Sequence, residues 1–315
     1  MQKSLFQPGQ LLSEIRGKAV EIASHRWPEL GSWLSIVLPN PLGVMALIPV
    51  GTGIGTGAQL EKIIRIAAAI VLVDLSLRIV DDCTDQDNPN ALYIALGPGT
   101  AMNYAMSLNT IAACEFSKLS IADHHSNNLL SRYFNAFIDV CHGQDLDIKS
   151  QVNDLDDYKR IVNLKSIPAY EFSAVSGAYL STSEERIIVQ CSRCGAHLGW
   201  MAQILDDIES LWFPVNETLC EIEKKTFPIL FGMFIDHDKK SLLNEVINNK
   251  EYDRRKICKI LDEMSIRNIL VNLALDHRDR GIESLNHLSN DVGKEILQNC
   301  LAWYFRDGIR LLDDV

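Results

Sequence analysis

Apolar residues recur at intervals of three and four along most of the chain, as they do on the buried face of an α-helix. Leu11, Leu12, Ile15, Val20 and Ile22 follow this spacing and predict an amphipathic opening helix. The sequence has neither the strict alternation of a half-buried β-strand nor a β-hairpin turn signal. The pattern therefore predicts an all-α protein.

The longest apolar pattern, residues 58–79, predicts a mostly buried helix that ends before the helix-breaking residues Asn88, Pro89 and Asn90. The other predicted helices cover residues 99–118, 125–145, 154–164, 167–181, 184–211, 224–247, 252–277 and 291–312. Their connections are short and no linker or repeat interrupts the chain. We therefore expect a single domain over residues 1–315 with about ten or more helices, of which residues 1–30 form a peripheral N-terminal helix.

A stretch rich in proline and glycine, residues 39–57, contains the run GTGIGTG. Glycine-rich runs can cradle phosphates, but here no Lys-Ser or Lys-Thr pair follows the run and no clear strand precedes it. We interpret the stretch as a flexible loop or as the start of a helix.

The composition narrows the classes of function. Hydrophobic residues make up 47% of the 315 residues, which is ample for a buried core, and the net charge is -11. Such a protein lacks the basic face that nucleic acids require, and it matches anionic membrane surfaces poorly. Its acidity does suit the recruitment of divalent cations, provided that some carboxylates converge.

Two further features bear on the compartment. The apolar run from Ile63 to Val73 is too short to span a membrane and is interrupted by Arg65. The first residues lack the apolar segment of a signal peptide. We therefore expect the eight cysteines to be reduced and the protein to be cytoplasmic.

Four aspartates lie at the C-terminal end of the long apolar helix: Asp81, Asp82, Asp85 and Asp87. Asp81 and Asp85 are one helical turn apart and face the same way. Their repulsion, and the unfavourable helix dipole at a C-terminus, require a compensating cation. Carboxylates suit Mg²⁺, which binds them jointly with substrate phosphates. The alternative is a solvated helix end, but the apolar helix before it indicates that these carboxylates emerge from the core.

A second acidic cluster occurs on another strongly apolar helix. The segment GWMAQILDDIESLW carries Gln203, Asp206, Asp207 and Glu209, followed by Ser210. Acids on a buried helix are costly unless ions or partners satisfy them. Two such helices facing one another would place acids on opposite walls of a cavity. Metal ions there could bridge a diphosphate and neutralise its charge as pyrophosphate leaves.

Three lysines could add positive charge at such a site. Lys165 lies shortly before Pro168, and Lys224 with Lys225 precedes Pro228. A lysine holds phosphate oxygens as a point charge. A solvent-exposed position is the ordinary alternative for any single lysine, so the functional interpretation depends on their order along the chain.

Five motifs carry a family resemblance in their order along the chain. They are Asp81-Asp82-Cys83-Thr84-Asp85, Gly143-Gln144-Asp145-Leu146-Asp147, Lys165-Ser166, Gln203-Ile204-Leu205-Asp206-Asp207 and Lys224-Lys225-Thr226-Phe227-Pro228. Together they resemble the trans-polyprenyl diphosphate synthases of the class I isoprenoid synthase superfamily. The resemblance implies a helical bundle around a central cavity, an allylic prenyl diphosphate substrate, Mg²⁺ (about three ions) and a homodimer.

The resemblance also implies roles for individual residues. Those that would hold the metal ions are Asp81, Asp82 and Asp85 on one side, and Asp206 with Asp207 or Glu209 on the other. Those that would bind or orient the diphosphate are Lys165, Lys224, Lys225, Gln144 and Gln203. Ser76 and Leu77 lie in the zone that limits product length in this family and would face the cavity, with plain helix packing as the alternative.

The chain departs from the family at two places. Elongating members carry a Gly-Lys-x-x-Arg stretch before the first motif and paired arginines after it, whereas residues 38–45 and 85–93 here contain no lysine or arginine. A second diphosphate, that of isopentenyl diphosphate, would bring about three negative charges to places without a cation. Ordinary chain elongation is therefore in question, but ionisation of an allylic diphosphate is not.

Residues 85–93, followed by Met102 and Asn103, are similar to the ComQ-like isoprenyltransferases, a branch that attaches a prenyl group to a tryptophan of a bacterial pheromone peptide. The resemblance implies a peptide or small-molecule acceptor. One alternative is a terpene synthase (cyclase), in which a double bond of the same substrate is the acceptor. Another is a non-catalytic partner subunit that keeps the fold.

Overall fold

The computed structural model describes residues 8–39, 42–86, 88–119, 126–149, 152–214, 222, 225–250, 253–288 and 290–305. Within these ranges the chain forms fifteen α-helices and no β-strand. The helices are α1 (Pro8–Arg26), α2 (Pro28–Val37), α3 (Ile48–Gly55), α4 (Leu60–Asp85), α5 (Leu92–Leu96), α6 (Pro98–Lys118), α7 (Ser126–Ile148), α8 (Leu155–Lys165), α9 (Ile167–Ala178), α10 (Glu185–Trp212), α11 (Phe227–Phe234), α12 (Lys240–Asn248), α13 (Arg254–Glu263), α14 (Ile266–Glu283) and α15 (Asp291–Phe305). Short 3₁₀ helices cover Val44–Ala46 and Ser284–His287. The predicted all-α fold is confirmed.

Helix α4 lies at the centre of the first half of the fold. Its apolar residues are buried almost without interruption from Ile63 to Ile79, where it packs against α1, α3, α6 and α9. The apolar pattern was predicted to end at residue 79 and the helix before Asn88, and the helix continues to Asp85 and stops at Gln86, whose φ of 56° is left-handed. A left-handed residue of this kind commonly closes a helix. The first acidic cluster therefore lies on regular helix.

Helices α9 and α10 form the opposite side of the bundle. Helix α10 packs against α9 on one face and against α14 on the other, while α7 and α8 close the remaining side. Helix α8 begins at Asp154, whose side chain accepts hydrogen bonds from the backbone N–H groups of Asp156 and Asp157. It ends at Ser166, and Pro168 lies in the first turn of α9. This break between α8 and α9 turns the C-terminus of α8 towards α4.

The run GTGIGTG belongs mainly to α3, so of the two interpretations of residues 39–57 the helix is correct there and the flexible loop is wrong. Helix α3 is almost entirely buried. A Cβ on Gly177 of α9 would lie 2.4 Å from the carbonyl oxygen of Pro49 in α3, so the two helices cross where α9 has no side chain. Burial against α9 and α15 overrides the weak helix propensity of the glycines.

Two predicted helices are each divided in the structure. Residues 224–247 were expected to form one helix, but α11 ends at Phe234 and α12 begins at Lys240. A Cβ on Gly232 would touch Leu243 of α12 and Leu261 of α13, so α12 folds back onto α11. Residues 252–277 divide at Ser265, whose φ is 58°. Tertiary packing sets both turns. No helix of the described ranges is long and apolar enough to cross a bilayer.

Candidate active site

The two acidic clusters predicted from the sequence face one cavity of about 220 Å³, here called the acidic cavity. Asp81 and Asp85 project from the end of α4, and Asp206 projects from α10. The residues that line it are Asp81, Asp85, Asp147, Val152, Tyr158, Ile161, Val162, Lys165, Ser166, Gln203, Asp206, Asp207, Ser210, Lys225 and Thr226. Carboxylates thus stand on opposite walls, with two lysines between them.

Lys165 joins two walls of the acidic cavity. Its Nζ lies 2.9 Å from Oδ1 of Asp81 on α4 and 2.7 Å from Oδ2 of Asp147 on α7. Burial by itself would lower the pKa of Lys165, but the two carboxylates outweigh it and raise the pKa above its ordinary value. The side chain therefore carries a fixed positive charge at the end of α4.

Gly143 explains how Lys165 reaches this position. A Cβ at Gly143 would lie 2.2 Å from the backbone nitrogen of Lys165 and 2.6 Å from the carbonyl carbon of Leu164. Any side chain on this part of α7 would push the C-terminus of α8 away. Asp147 lies one turn beyond Gly143 on the same face of α7, which places its carboxylate beside Lys165.

Gln144 stabilises the first acidic motif from outside the acidic cavity. Its Nε2 donates to Oγ1 of Thr84 at 3.0 Å, and that hydroxyl donates to the carbonyl oxygen of Asp81 at 2.9 Å. This chain of hydrogen bonds holds the last turn of α4 against α7. Gln144 does not line the acidic cavity, and its role towards the substrate stays a prediction.

Asp207 is buried and accepts hydrogen bonds from three protein donors. Oδ1 accepts from Gln203 Nε2 at 2.8 Å, and Oδ2 accepts from Tyr158 OH at 2.7 Å and from the backbone N–H of Phe227 at 2.9 Å. Burial raises the pKa of Asp207, and these donors oppose that shift. Gln203 in turn accepts from Ser166 Oγ at 2.6 Å. Asp207 and Gln203 therefore tie α10 to α8, α9 and α11.

Asp206, the neighbouring residue, faces the open space of the acidic cavity. Burial among the surrounding protein, followed by the charge of Asp207, raises the pKa of Asp206 to about 7, against the opposing charge of Arg78. The raised pKa means that the protein stabilises the ionised form of Asp206 poorly, so a cation in the open space in front of it would favour that form. Of the acids predicted on α10, Asp206 has the better geometry for a metal ligand.

The turn before α11 contributes polar groups to the same cavity. Lys225 has a left-handed φ of 53°, a conformation that costs free energy in a residue with a side chain and persists where the surroundings fix it. Thr226 Oγ1 is buried and has no hydrogen-bond partner among the described residues. Lys224, which was expected to bind the diphosphate, lies outside the described residues.

Three residues predicted at the site lie elsewhere. Asp82 does not line the acidic cavity, and its Oδ1 accepts from Asn88 Nδ2 at 3.1 Å. Glu209 is exposed, and Ser210, one turn after Asp206, lines the cavity in its place. Ser76 was expected to face the cavity, but its hydroxyl donates to the carbonyl oxygen of Ala105 on α6 at 2.9 Å. It contributes to helix packing.

A narrow apolar pocket of about 10 Å³ lies between α4, α7 and α9. The residues that line it are Met45, Ile70, Val73, Leu77, Tyr133, Ala136, Phe137, Val140, Ala169 and Phe172. An entirely apolar lining suits a hydrocarbon chain.

The sequence interpretation assigned no role to Asp147, Tyr158 or Thr226, although all three line the acidic cavity. The spacing of two of them held a signal. Asp147 lies one turn after Gly143, and Tyr158 lies two turns before Lys165, so each shares a helix face with a recognised motif residue. Thr226 belongs to the motif Lys224-Lys225-Thr226-Phe227-Pro228, in which only the lysines were given a role.

Solved structures identify the fold. Geranylgeranyl pyrophosphate synthetase from Pyrococcus horikoshii superposes with a TM-score of 0.73 and 19% identity, covering 94% of this chain and 97% of that chain. Polyprenyl synthase from Caulobacter crescentus CB15, solved in complex with calcium and isoprenyl diphosphate, gives a TM-score of 0.76 and 16% identity over 92% of this chain and 93% of that chain. The fold is that of the polyprenyl synthases.

The sequence model of the polyprenyl synthetase family matches residues 42–264. The chain belongs to the polyprenyl synthetase family. It is also similar to tryptophan prenyltransferase ComQ of Bacillus subtilis (strain 168), with 26% identity over 262 residues that cover 81% of this chain and 85% of the relative. The predicted family and the predicted class of enzyme, a prenyl-diphosphate-dependent transferase, are confirmed.

Proposed function

We propose that the protein is a Mg²⁺-dependent prenyltransferase that ionises an allylic prenyl diphosphate and transfers the prenyl cation to an acceptor other than isopentenyl diphosphate. One observation carries the proposal. Lys165 stands between Asp81 and Asp147 on one side of the acidic cavity, and Asp206 stands on the opposite wall. Opposed carboxylates with a fixed cation form a site for a diphosphate and its metal ions.

The donor set fits Mg²⁺ shared with a substrate. Within the described residues no three acidic, histidine or cysteine side chains stand close enough to hold an ion unaided. Asp81 and Asp85 on α4 and Asp206 on α10 offer hard oxygen ligands that diphosphate oxygens would complete, as Mg²⁺ prefers. We assign two of about three ions to α4 and one to Asp206, with Asp207 as a positioning residue. When bound, the ions would neutralise the charge of the departing pyrophosphate.

Side chains of the protein would bind the diphosphate and shield the allylic cation from water. Lys165 would exchange Asp81 for a diphosphate oxygen, which leaves the Asp81 carboxylate available for metal. Lys225 approaches from the turn before α11, and we assign Lys224 beside it to the same diphosphate. The prenyl chain would enter the apolar pocket beyond Leu77, where the absence of polar groups keeps water from the allylic cation.

Two observations support an acceptor other than isopentenyl diphosphate. Residues 38–45 and 85–93 contain no lysine or arginine to receive a second diphosphate. The relative from Bacillus subtilis is a tryptophan prenyltransferase, so we propose tryptophan, in a peptide or a small molecule, as the acceptor class. The comparisons do not support the alternative of a terpene synthase. A non-catalytic subunit would not need the charged groups that line the acidic cavity.

The test is an assay of pyrophosphate release from geranyl, farnesyl or geranylgeranyl diphosphate with Mg²⁺. Each reaction is run alone, with isopentenyl diphosphate and with tryptophan-containing peptides, and products are identified by mass. The proposal predicts Mg²⁺-dependent pyrophosphate release and a peptide heavier by one prenyl group. A hydrocarbon formed from the diphosphate alone, or efficient elongation of isopentenyl diphosphate, would contradict it.

We also propose a homodimer in the cytoplasm. Met106 on α6 and Phe134 and Ile138 on α7 are 68%, 47% and 63% exposed, and apolar side chains exposed together favour a protein interface. The free cysteines of the described chain suit a reducing compartment. Light scattering should give twice the mass of one chain. Phe134→Glu should shift the protein towards monomer, and a wild-type monomer would refute the dimer.

A further inference from the structure

Asp74 and Arg78 form an ion pair on α4 next to the acidic motif. Oδ2 of Asp74 lies 2.7 Å from Nη2 of Arg78. With Asp81 and Asp85 they follow spacings of four, three and four residues, which places all four on one stripe of the helix. Since Asp81 and Asp85 line the acidic cavity, the ion pair lies on the same face of α4, further towards its N-terminal end.

The pair lies on the flank of α4 that faces away from the apolar pocket. Leu77 lines that pocket with Val73, and Arg78, the next residue, projects about 100° further around the helix. On its own flank, Nη2 of Arg78 lies 2.7 Å from the position that a Cβ on Gly43 would take. The guanidinium therefore rests against Gly43.

Arg78 is accessible from the cleft, since its side chain is 55% exposed, whereas that of Asp74 is 24% exposed. The pKa of Arg78 is raised above its ordinary value, chiefly by Asp74 and further by Tyr170 on α9 and Asp206 on α10. These interactions place the guanidinium within electrostatic reach of the wall that carries Asp206.

The charge of this flank is cancelled. Asp74 neutralises Arg78, and the flanking segments 38–45 and 85–93 supply no lysine or arginine. An acceptor that carries a diphosphate would bring about three negative charges to an ion pair with no net charge, close to Asp206. An uncharged acceptor brings no such charge and can still form hydrogen bonds with the exposed edges of the pair.

We infer that the Asp74–Arg78 pair determines acceptor choice: Asp74 occupies and neutralises Arg78, so that this flank of the cleft accepts a neutral acceptor and rejects a diphosphate. The inference rests on the proposed function. It assigns specificity to two residues outside the motifs that bind the allylic substrate, and it implies that Arg78 becomes an anion-binding group once Asp74 loses its charge.

The test uses Asp74→Asn, which keeps the size of the side chain and removes its charge. The binding of isopentenyl diphosphate is measured by calorimetry with Mg²⁺ present and the allylic site filled by a thiolo analogue of farnesyl diphosphate that cannot ionise. The dissociation constant for isopentenyl diphosphate should fall at least fivefold relative to wild type. In the double variant Asp74→Asn/Arg78→Gln, it should return to the wild-type value.

An unchanged dissociation constant in Asp74→Asn, or a gain that persists in the double variant, overturns the inference. If Asp74→Asn does not fold, as judged by circular dichroism, Asp74→Ser replaces it with the same expectation. Pyrophosphate release from farnesyl diphosphate by the wild-type protein is measured separately. Its absence would refute the proposed function, whereas its presence with unchanged binding in the variants refutes the acceptor assignment alone.

Discussion

The backbone nitrogen of Lys165 lies 2.2 Å from the position that a Cβ on Gly143 would take, and the Cα of Lys165 lies 2.5 Å from it. Both distances are far shorter than a van der Waals contact, so α7 and α8 can meet here only because α7 lacks a side chain. The contact fixes the base of Lys165, whose Nζ lies between Asp81 and Asp147. A glycine on one helix thus determines where the cation of the site stands.

Replacing Gly143 with alanine should displace Lys165 and lower kcat for pyrophosphate release at least tenfold, because the new methyl group meets backbone rather than a flexible side chain. Gly17 is the matched control, since it is exposed on α1 and has nothing within 4 Å of its added Cβ. Gly17→Ala should keep full activity and add about 0.5–1 kcal/mol to the free energy of unfolding. Wild-type kcat in Gly143→Ala would show that the close contact is not needed.

Removing the charge of Lys165 should lower the rate of pyrophosphate release more than a change in packing at that position would. Lys165→Met keeps the length of the side chain but leaves Asp81 and Asp147 without the cation between them, and pyrophosphate release should fall about 100-fold. Lys149→Met is the control, because Lys149 pairs with Asp145 on the exposed face of α7. Exposed pairs contribute about 0–1 kcal/mol, so rate and stability should change little. Equal rates for the two variants would remove Lys165 from the mechanism.

Tyr158→Phe should lower the free energy of unfolding by about 1–3 kcal/mol, since the buried carboxylate of Asp207 loses a donor at 2.7 Å. The stacking of ring 158 on Phe227, with ring centroids 5.1 Å apart, is retained in the variant. Urea denaturation followed by circular dichroism measures the loss. Tyr104→Phe, in a ring that contacts Trp27 and Trp33, should cost less than about 0.5 kcal/mol. Similar losses in both variants would argue against a positioning role for Tyr158.

Chain-length preference should respond to Leu77 and not to Ser76. Leu77→Ala widens the apolar pocket, so the ratio of kcat/KM for geranylgeranyl over geranyl diphosphate should rise at least fivefold. Ser76→Ala removes only the hydrogen bond to Ala105. It should cost about 0.5–1.5 kcal/mol of stability and leave the ratio unchanged. A shift of the ratio in Ser76→Ala would mean that α6 also limits the length of the tail.

His197 and His277 should make stability depend on pH. Their Nδ1 atoms lie 3.1 Å apart between α10 and α14. Burial lowers the pKa of both, with Arg280 acting in the same direction and Asp276 opposing it. Below about pH 6.5 the unfolded chain binds more protons than the folded one, so the pair lowers stability as the pH falls through this range.

In His277→Gln the difference in urea midpoint between pH 7.5 and pH 5.5 should be smaller than in the wild-type protein. His142→Gln, at an exposed position on α7, serves as the control and should leave the difference as it is in wild type. An equally steep dependence in His277→Gln would locate the responsible groups elsewhere.

Some residues of the site could be predicted from the sequence, and others only from the structure. The sequence pointed to Asp81, Asp85 and Asp206 because charged residues that interrupt an apolar helix are visible in a one-dimensional pattern, and to Lys165 through its order among the motifs. Asp207 and Asp206 are adjacent and chemically identical in the sequence. Only the structure distinguishes them, since Asp207 accepts from Tyr158 and Phe227 on other helices and from Gln203 on its own helix, whereas Asp206 faces open space.

The partner of Arg78 was likewise decided only by the structure. Asp74 and Asp82 each lie four residues from Arg78, so spacing by itself does not select the partner of Arg78. The position of Gly43 against the guanidinium resolves the question. No local signal could do so, because Gly43 belongs to a different element of the chain.

The sequence by itself determined the helical class, the family and the residues whose charge is out of place on an apolar helix, because each of these depends on periodicity and order along one chain. Tertiary structure decided that α3 is a helix, where residues 224–247 and 252–277 turn, and which carboxylate faces the acidic cavity. Those outcomes depend on contacts between segments far apart in sequence, where a missing Cβ or a donor from another helix changes the free energy by more than local propensity does.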